Sequence, residues 1–261
     1  MVQLHLEWGF PVHIQVLLVL AFTVGWYCIG KFSRFFSERL FVSYRKLSPI
    51  AKRDWDIRVA SNAHGYFQII LACTLVPAYW NEIFSDPYAF NSRAINVFLA
   101  GATGYFIQDL IMMLIYYGTP IFSWSAVCHH VMSIIANGTA LLTGYCGVLI
   151  LSVGIQEWST PFVNQRWFYD ACHMKSGLGY AINGILLWFV FTCVRVPFTY
   201  FLYRVIWPTI DDCLTQPTYI ISALFGTMST SILLNLWWSW AVTKGLAKHV
   251  LGVGKKPKKD Q

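Results

Sequence analysis

The hydrophobic and polar positions of the chain alternate on the scale of whole helices. Long apolar stretches are separated by short turn sequences such as Gly118-Thr119-Pro120 and Thr143-Gly144. An α-helix needs about 20 mainly apolar residues to cross a bilayer. We therefore predict an all-α polytopic membrane protein with seven transmembrane helices, at residues 12–31, 58–79, 94–117, 120–141, 145–157, 178–206 and 216–243. The fifth stretch is short, and the sixth is long and contains Pro197.

The composition agrees with a chain that lies mostly in the bilayer. Hydrophobic residues make up 56% of the 261 residues and charged residues only 12%, whereas soluble domains carry about 25% charged residues. A disordered chain, a coiled coil, a disulfide-stapled secreted domain and a nucleic-acid-binding domain are excluded. The seven cysteines show no metal-binding spacing, so we expect no structural metal; Cys146 and Cys213 are the two that could pair.

The positive charges are distributed unevenly between the two sides of the predicted membrane. With seven spans, 16 of the 19 Lys and Arg residues fall in loops on one side, most of them in 31–58 and in the tail after 243, and only Arg93 falls on the other. The positive-inside rule then predicts a lumenal N-terminus and a cytosolic C-terminus. The net charge of +7 is thus mainly a matter of orientation.

The two ends of the chain indicate a location. The first span is not preceded by a positive segment and is long, so we interpret 1–57 as a signal-anchor helix with a basic cytosolic loop. The basic tail, 246–261, carries Lys258 and Lys259 three and four positions from its end. This resembles a dilysine retrieval signal of the endoplasmic reticulum, although a solvated basic tail would have the same composition.

Several ionisable residues fall inside predicted spans, where a charge is costly and therefore indicates function. They are His64, Asp109, His129, His130, Glu157 and Arg195. Asp109 and His129 each lie ten residues from Thr119, so both are about 15 Å from the turn between their helices. They are level, and a carboxylate–imidazole contact needs only a suitable rotation. A buried hydrogen bond between two helices is the structural alternative.

Polar residues also recur on single faces of four predicted helices. Such stripes can be helix–helix contacts, but four of them together with ionisable groups favour a polar intramembrane chamber. The stripes are Ser61, His64 and Gln68; His130, Ser133 and Asn137; Thr192, Arg195 and Thr199; and Thr227, Ser231, Asn235 and Ser239. Adjacent His129 and His130 point about 100° apart on a helix, so we expect one to react and the other to orient or pack.

The segment Glu157-Trp158-Ser159-Thr160-Pro161-Phe162-Val163-Asn164-Gln165-Arg166-Trp167-Phe168, together with the histidine pair and Asp109, resembles the TLC-domain family. That family includes translocating-chain-associating proteins and ceramide synthases. The resemblance implies a TLC domain at 58–245, with spans two to seven forming a six-helix barrel after one extra helix.

In the ceramide-synthase branch a cavity binds acyl-CoA and a histidine is acylated. Carried over by motif, His129 is the nucleophile, His130 its neighbour, and Asp109 matches the aspartate of the third span. The branch has His-Asp-x-Ser-Asp where this chain has Gln156-Glu157-Trp158-Ser159-Thr160. Glu157 keeps an acid but the second aspartate is replaced, which argues against ceramide synthesis and leaves other acyl transfers open.

The sequence therefore predicts an endoplasmic-reticulum protein of lipid homeostasis that acts as an acyl-CoA-dependent lipid acyltransferase. We expect membrane lipids and acyl-CoA as substrates or partners, no bound cofactor, no metal and no nucleic acid. A non-catalytic lipid-binding regulator is the main alternative, and a seven-helix transporter or receptor a more remote one, since the sequence suggests no discontinuous helices or internal repeat. The predicted catalytic residues are His129, His130, Asp109 and Glu157, and the predicted substrate-binding residues are His64, Asn164, Arg166, Arg195 and Asn235.

Overall fold

The structure is a computed structural model that describes residues 9–250, with only the backbone for His249 and Val250. The described part is helical throughout and contains no strand. The α-helices are α1 (Val12–Leu40), α2 (Val42–Arg45), α3 (Pro49–Ala78), α4 (Trp80–Ser85), α5 (Arg93–Ile115), α6 (Trp124–Thr143), α7 (Gly147–Val153), α8 (Thr160–Ala171), α9 (Leu178–Val190), α10 (Val196–Ile206), α11 (Ile210–Leu214) and α12 (Thr218–Val250).

Six helical segments in the described part are long and apolar enough to cross a membrane. They are Val12–Leu40, Pro49–Ala78, Arg93–Ile115, Trp124–Thr143, Leu178–Leu214 and Thr218–Lys248. The all-α, multi-span prediction is thus confirmed. The count of seven spans and the six-helix barrel stay predictions.

The predicted cytosolic loop 31–58 is largely helical. α1 continues to Leu40, and α3 begins at Pro49, where the Ser48 side chain accepts a hydrogen bond from the Ala51 amide and proline occupies the first turn. This is a common way for a helix to start. Charged residues near the start of α3 bind neighbouring side chains. Asp56, for example, accepts a hydrogen bond from Tyr44 at 2.9 Å.

The fifth predicted span is a composite of short helices. α7 is followed by a 3₁₀-helix (Gly154–Ser159) and then by α8, which has Pro161 in its first turn. The composite begins where the Cys146 amide donates to the carbonyl of Tyr88. It reaches the opposite part of α3, where Phe168 packs on Trp55 with ring centroids 4.5 Å apart. α7, the 3₁₀-helix and α8 therefore run along α3 in the opposite direction.

These contacts define two ends of the molecule. At the outer end Tyr88 stacks on Tyr145, with centroids 5.6 Å apart, and donates to the Ile206 carbonyl at 3.3 Å. Burial raises the pKa of Tyr88 to about 12, so the phenol stays protonated as a donor. At the inner end lie Trp55 and Phe168.

The sixth predicted span is also interrupted. Between α9 and α10 the chain forms a π-helical turn (Phe191–Arg195) directly before Val196 and Pro197. Proline has no amide hydrogen to donate to the preceding turn, and π-turns of this kind occur often at functional sites. The π-turn packs against the 3₁₀-helix, because the Arg195 Nε donates to the Ser159 Oγ at 3.0 Å.

The core of the described part centres on α5, the most buried of the long helices. Its small residues let α1 approach closely. The Trp26 indole donates to the Gly101 carbonyl at 3.0 Å, and a Cβ at Gly104 would lie 2.8 Å from the Thr23 amide nitrogen. The small-residue run at 101–104 is therefore a packing surface.

Candidate functional site

A cavity of about 150 Å³ lies between α3, α5, α6, α7 with its 3₁₀-helix, α10 and α12. Most of its wall is apolar, including Phe98, Leu149 and Met228. Part of each predicted polar face nevertheless lies on it, whereas five members of these faces do not, namely Ser61, His130, Thr192, Arg195 and Ser239. The polar residues on its wall are His64, Gln68, His129, Ser133, Asn137, Gln156, Glu157, Thr199, Thr227, Ser231 and Asn235.

The two adjacent histidines have different surroundings. The ring of His129 faces the cavity and packs edge-on against Phe106 and Trp238, with centroids 5.6 and 5.5 Å away. Within residues 9–250 the structure shows no hydrogen bond to this ring. His130 points elsewhere, as the helical angle between neighbours requires.

His130 is held on both sides of its ring. Its Nδ1 lies 2.6 Å from the Ala126 carbonyl oxygen, and its Nε2 lies 3.0 Å from Asp109 Oδ2. A carbonyl oxygen only accepts, so Nδ1 carries a proton. The Nε2 of His130 and the Oδ2 of Asp109 lie at ion-pair distance, although their geometry is not that of a hydrogen bond. His130 is therefore oriented by the Ala126 carbonyl and lies beside the Asp109 carboxylate.

The sequence correctly predicts an aspartate–histidine contact between the third and fourth spans but places Asp109 level with His129. The structure gives the contact to His130 instead. Equal depth along two helices fixes the height of a contact, whereas the rotation of each helix decides which of two neighbouring residues makes it.

His64 also contributes a ring to the cavity wall. It is 1% exposed and stacks on Tyr105, with centroids 3.8 Å apart and planes 9° apart. Neither of its ring nitrogens has a hydrogen-bond partner. The sequence did not single out Tyr105, whose place among apolar residues gives no signal of its own.

Arg195 is buried behind the cavity wall and bonded to neutral groups. Its Nε donates to Ser159, and its Nη1 donates to Asn235 Oδ1 at 2.9 Å. Asn235 in turn donates to Gln156 Oε1 at 2.9 Å. Among residues 9–250 no carboxylate lies within ion-pair distance of the guanidinium, which instead lies over the Phe191 ring at 4.7 Å. Arg195 thus orients the amides of Gln156 and Asn235 that face the cavity.

Glu157 lies on the cavity wall, and its Oε2 accepts a hydrogen bond from the Thr160 hydroxyl at 2.5 Å. Thr160 occupies the position of the missing second aspartate in the motif comparison. The neutral Thr160 hydroxyl therefore donates to the Glu157 carboxylate, whereas an aspartate at this position would repel that carboxylate.

Two predicted substrate-binding residues lie outside this cavity. Asn164 joins α8 to α3, since its Nδ2 donates to Ser61 and Asn62 and its Oδ1 accepts from Arg58 Nη1 at 3.1 Å. Arg166 lies in a separate groove between α8, α9 and α12, with its guanidinium 4.1 Å from the centroid of Tyr180. Substrate binding by either residue stays a prediction.

Within the described residues there is no group of three or more His, Cys, Asp or Glu side chains that could hold a metal ion. Cys146 and Cys213 are both buried in the core toward the outer end, and both are free thiols.

The sequence of the chain is similar to those of known proteins. The family model of the TLC domain matches residues 54–244, which is well over half of the chain. The chain belongs to the TLC domain family. It is 30% identical over 229 residues to TLC domain-containing protein 4 of Homo sapiens, covering 84% of this chain and 83% of that protein. It is 29% identical over 227 residues to TLC domain-containing protein 4-B of Danio rerio, covering 83% of each.

The matched region of this TLC-family chain contains every cavity-lining residue described above. It also contains Asp109, His130 and Arg195, which lie outside the wall. α1 lies outside the match, although it packs on α5 within the domain.

Proposed function

We propose that the protein is a lipid acyltransferase of the endoplasmic-reticulum membrane, with acyl-CoA as donor and His129 as nucleophile. The observation that carries the proposal is the difference in surroundings between His129 and His130. The Nδ1 of His130 donates to a backbone carbonyl and its Nε2 lies beside Asp109, away from the cavity, whereas the ring of His129 faces the cavity. Membership of the TLC domain family also supports the proposed acyl transfer.

The chemistry balances without a cofactor. A ring nitrogen of His129 attacks the thioester carbonyl, the C–S bond breaks, and CoA leaves as the thiolate, which takes up the proton released by the imidazole. A hydroxyl or amine of the lipid acceptor then attacks the acyl-imidazole. The acceptor proton passes to the departing imidazole nitrogen, and neutral His129 is restored.

The surrounding groups have supporting roles in this scheme. Glu157 and the amides of Gln156 and Asn235 face the same cavity as His129, where polar groups can orient the thioester or its oxyanion. Arg195 holds those amides in place. Arg166 and the basic segment 31–58 would meet the CoA phosphates on the cytosolic side.

This orientation requires the composite of α7, the 3₁₀-helix and α8 to cross the membrane. Its course along α3 from the outer to the inner end supports that crossing. Seven crossings put the N-terminus in the lumen and the C-terminus in the cytosol, as the charge distribution predicts.

The second candidate function is a lipid-binding regulator without catalysis. One observation favours it, namely that among residues 9–250 no carboxylate forms a hydrogen bond or ion pair with the ring of His129. Asp109 contacts His130, and Glu157 accepts from Thr160. A histidine nucleophile commonly depends on such an orienting partner.

Turnover separates the two candidates. Purified protein in liposomes of endoplasmic-reticulum lipids would be incubated with a fluorescent long-chain acyl-CoA, and labelled lipid products would be separated. We expect a labelled product that is lost in His129→Ala and kept in His173→Ala, an exposed histidine outside the long helices. Equal product from His129→Ala would remove the nucleophile from the scheme, and absence of product from the unmodified protein would favour the regulator.

A further inference from the structure

The cavity contains buried polar groups that have no partner and that the proposed nucleophile does not use. Gln68 and Asn137 are 3% and 4% exposed, and both line the cavity. The Gln68 Nε2 and the Asn137 Oδ1 each lack a hydrogen-bond partner. Both ring nitrogens of His64, on the same wall, are also unpartnered.

The free groups are complementary in kind. The Asn137 amide nitrogen is already used, because it donates to the Ser133 carbonyl of its own helix at 2.7 Å. Asn137 therefore offers an acceptor to the cavity and Gln68 offers a donor. A hydroxyl group, which donates and accepts at once, satisfies both.

These groups lie away from His129, toward the outer end. Gln68 is four residues beyond His64 on α3, or about 6 Å. Asn137 is eight residues beyond His129 on α6, or about 12 Å. Both helices run toward the outer end here, since α6 ends at Thr143, next to Tyr145.

No Asp, Glu, Lys or Arg lines this outer half of the cavity; of the described residues with these side chains only Glu157 lines the cavity, at the level of the 3₁₀-helix. An anionic or cationic headgroup would therefore be buried here without a counterion, which is costly. A neutral headgroup avoids this cost.

The size of the cavity points the same way. A cavity of about 150 Å³ accommodates a molecule of the size of benzene. It is thus large enough for a headgroup with a few heavy atoms.

We propose that the outer half of the cavity is a binding site for a neutral, hydroxyl-bearing lipid headgroup, held by Gln68 and Asn137, with His64 at its inner edge. The identification of this lipid as the acyl acceptor rests on the proposed function, whereas its binding does not. An acceptor with one hydroxyl at His129 and another at Gln68 and Asn137 carries at least two hydroxyls, as glycerol-based lipids do.

The test compares two lipids that share a chain and an ester but differ in hydroxyl groups. 1-Oleoylglycerol and methyl oleate would be titrated against detergent-purified full-length protein, and apparent Kd values read by native mass spectrometry. We expect 1-oleoylglycerol to bind about tenfold more tightly, as one or two net hydrogen bonds imply. Oleate, with its negative charge, should bind less tightly than 1-oleoylglycerol.

The variant Gln68→Met with Asn137→Leu keeps the side-chain sizes and removes both polar groups. It should fold, because the unpartnered Gln68 Nε2 and Asn137 Oδ1 are replaced by apolar atoms, and the Ser133 carbonyl that loses the Asn137 amide still lies within helix α6 and accepts from its backbone. Thermal unfolding would verify this. It should bind the two oleoyl esters equally. Thr74→Val, an exposed change on the same helix, should keep the preference of the unmodified protein.

Equal affinity of the two esters for the unmodified protein would show that water alone occupies these groups and would overturn the proposal. A preference that persists in the double variant would overturn it as well. Repeating the titration with His129→Ala separates this site from catalysis, since the headgroup preference should survive there whether or not the protein transfers acyl groups.

Discussion

Among single residues, the role of each polar side chain depends on the group that it contacts. His129 and His130 are neighbours in sequence, but only His130 is fixed by a carbonyl and a carboxylate. Asp109 is 7% exposed and the partnering His130 is similarly buried. We interpret Asp109 as a partner of His130 that helps to join α5 to α6.

We predict that Asp109→Asn destabilises the protein by about 1–3 kcal/mol, because it removes a buried carboxylate that lies 3.0 Å from the ring nitrogen of His130. Asp170→Asn is the matched control, since Asp170 forms an exposed ion pair with Lys175 at 2.6 Å, and such pairs contribute about 0–1 kcal/mol. Thermal unfolding in detergent measures both. Equal Tm values for the two variants would show that the Asp109–His130 contact does not hold α5 to α6.

The sequence predicts the chemistry of individual residues better than their partners. Periodicity correctly placed His64, Gln68, Asn137 and Asn235 on faces that meet at a cavity. It could not show that Asn164 joins α8 to α3, because the sequence pattern is the same whether a buried amide faces a helix or a ligand. Tyr105 and Trp238 gave no signal, since an aromatic ring within an apolar stretch is ordinary.

At the element scale, two irregular helical segments meet beside the cavity. The 3₁₀-helix and the π-turn are joined by the hydrogen bond from Arg195 to Ser159. The sequence indicated both irregular segments only indirectly. The 3₁₀-helix corresponds to a short apolar stretch followed by Glu157 and Pro161, and the π-turn precedes Pro197 within a long apolar stretch. The expectation of uninterrupted helices was therefore too simple, while the six long segments agree with the predicted positions.

The composite of α7, the 3₁₀-helix and α8 yields a topology prediction. If it crosses the membrane, the segment 173–177 is cytosolic and 215–217 is lumenal. A glycosylation sequon inserted at 215–217 should then be modified in microsomes, and one at 173–177 should not. The reverse pattern would mean that the composite does not cross, which would also invert the predicted side of the C-terminus.

Taken as a whole, the protein is a multi-span member of the TLC domain family with a mainly apolar cavity between its helices. Membership and helical class follow from its sequence patterns. The proposed location in the endoplasmic reticulum rests on the proposed orientation and on the tail, which lies outside the described residues.

We predict that changing Lys258 and Lys259 together to serine releases the protein from the endoplasmic reticulum to later compartments. The control is the same change at Lys255 and Lys256, which removes as much charge from the tail but leaves the two positions of the retrieval signal. Fluorescence microscopy of tagged protein, with the tag at the N-terminus, measures the outcome. An unchanged location of the Lys258 and Lys259 variant would show that the tail is not an address.

The proposed function requires that His129 carries the acyl group during transfer. Intact-protein mass spectrometry of the detergent-purified protein, before and after incubation with long-chain acyl-CoA, tests it most directly. The account predicts a hydroxylamine-sensitive mass increase of one acyl chain that is absent in His129→Ala and present in His173→Ala. An adduct that persists in His129→Ala, or no adduct on the unmodified protein under conditions that support turnover, would contradict a covalent acyl-histidine.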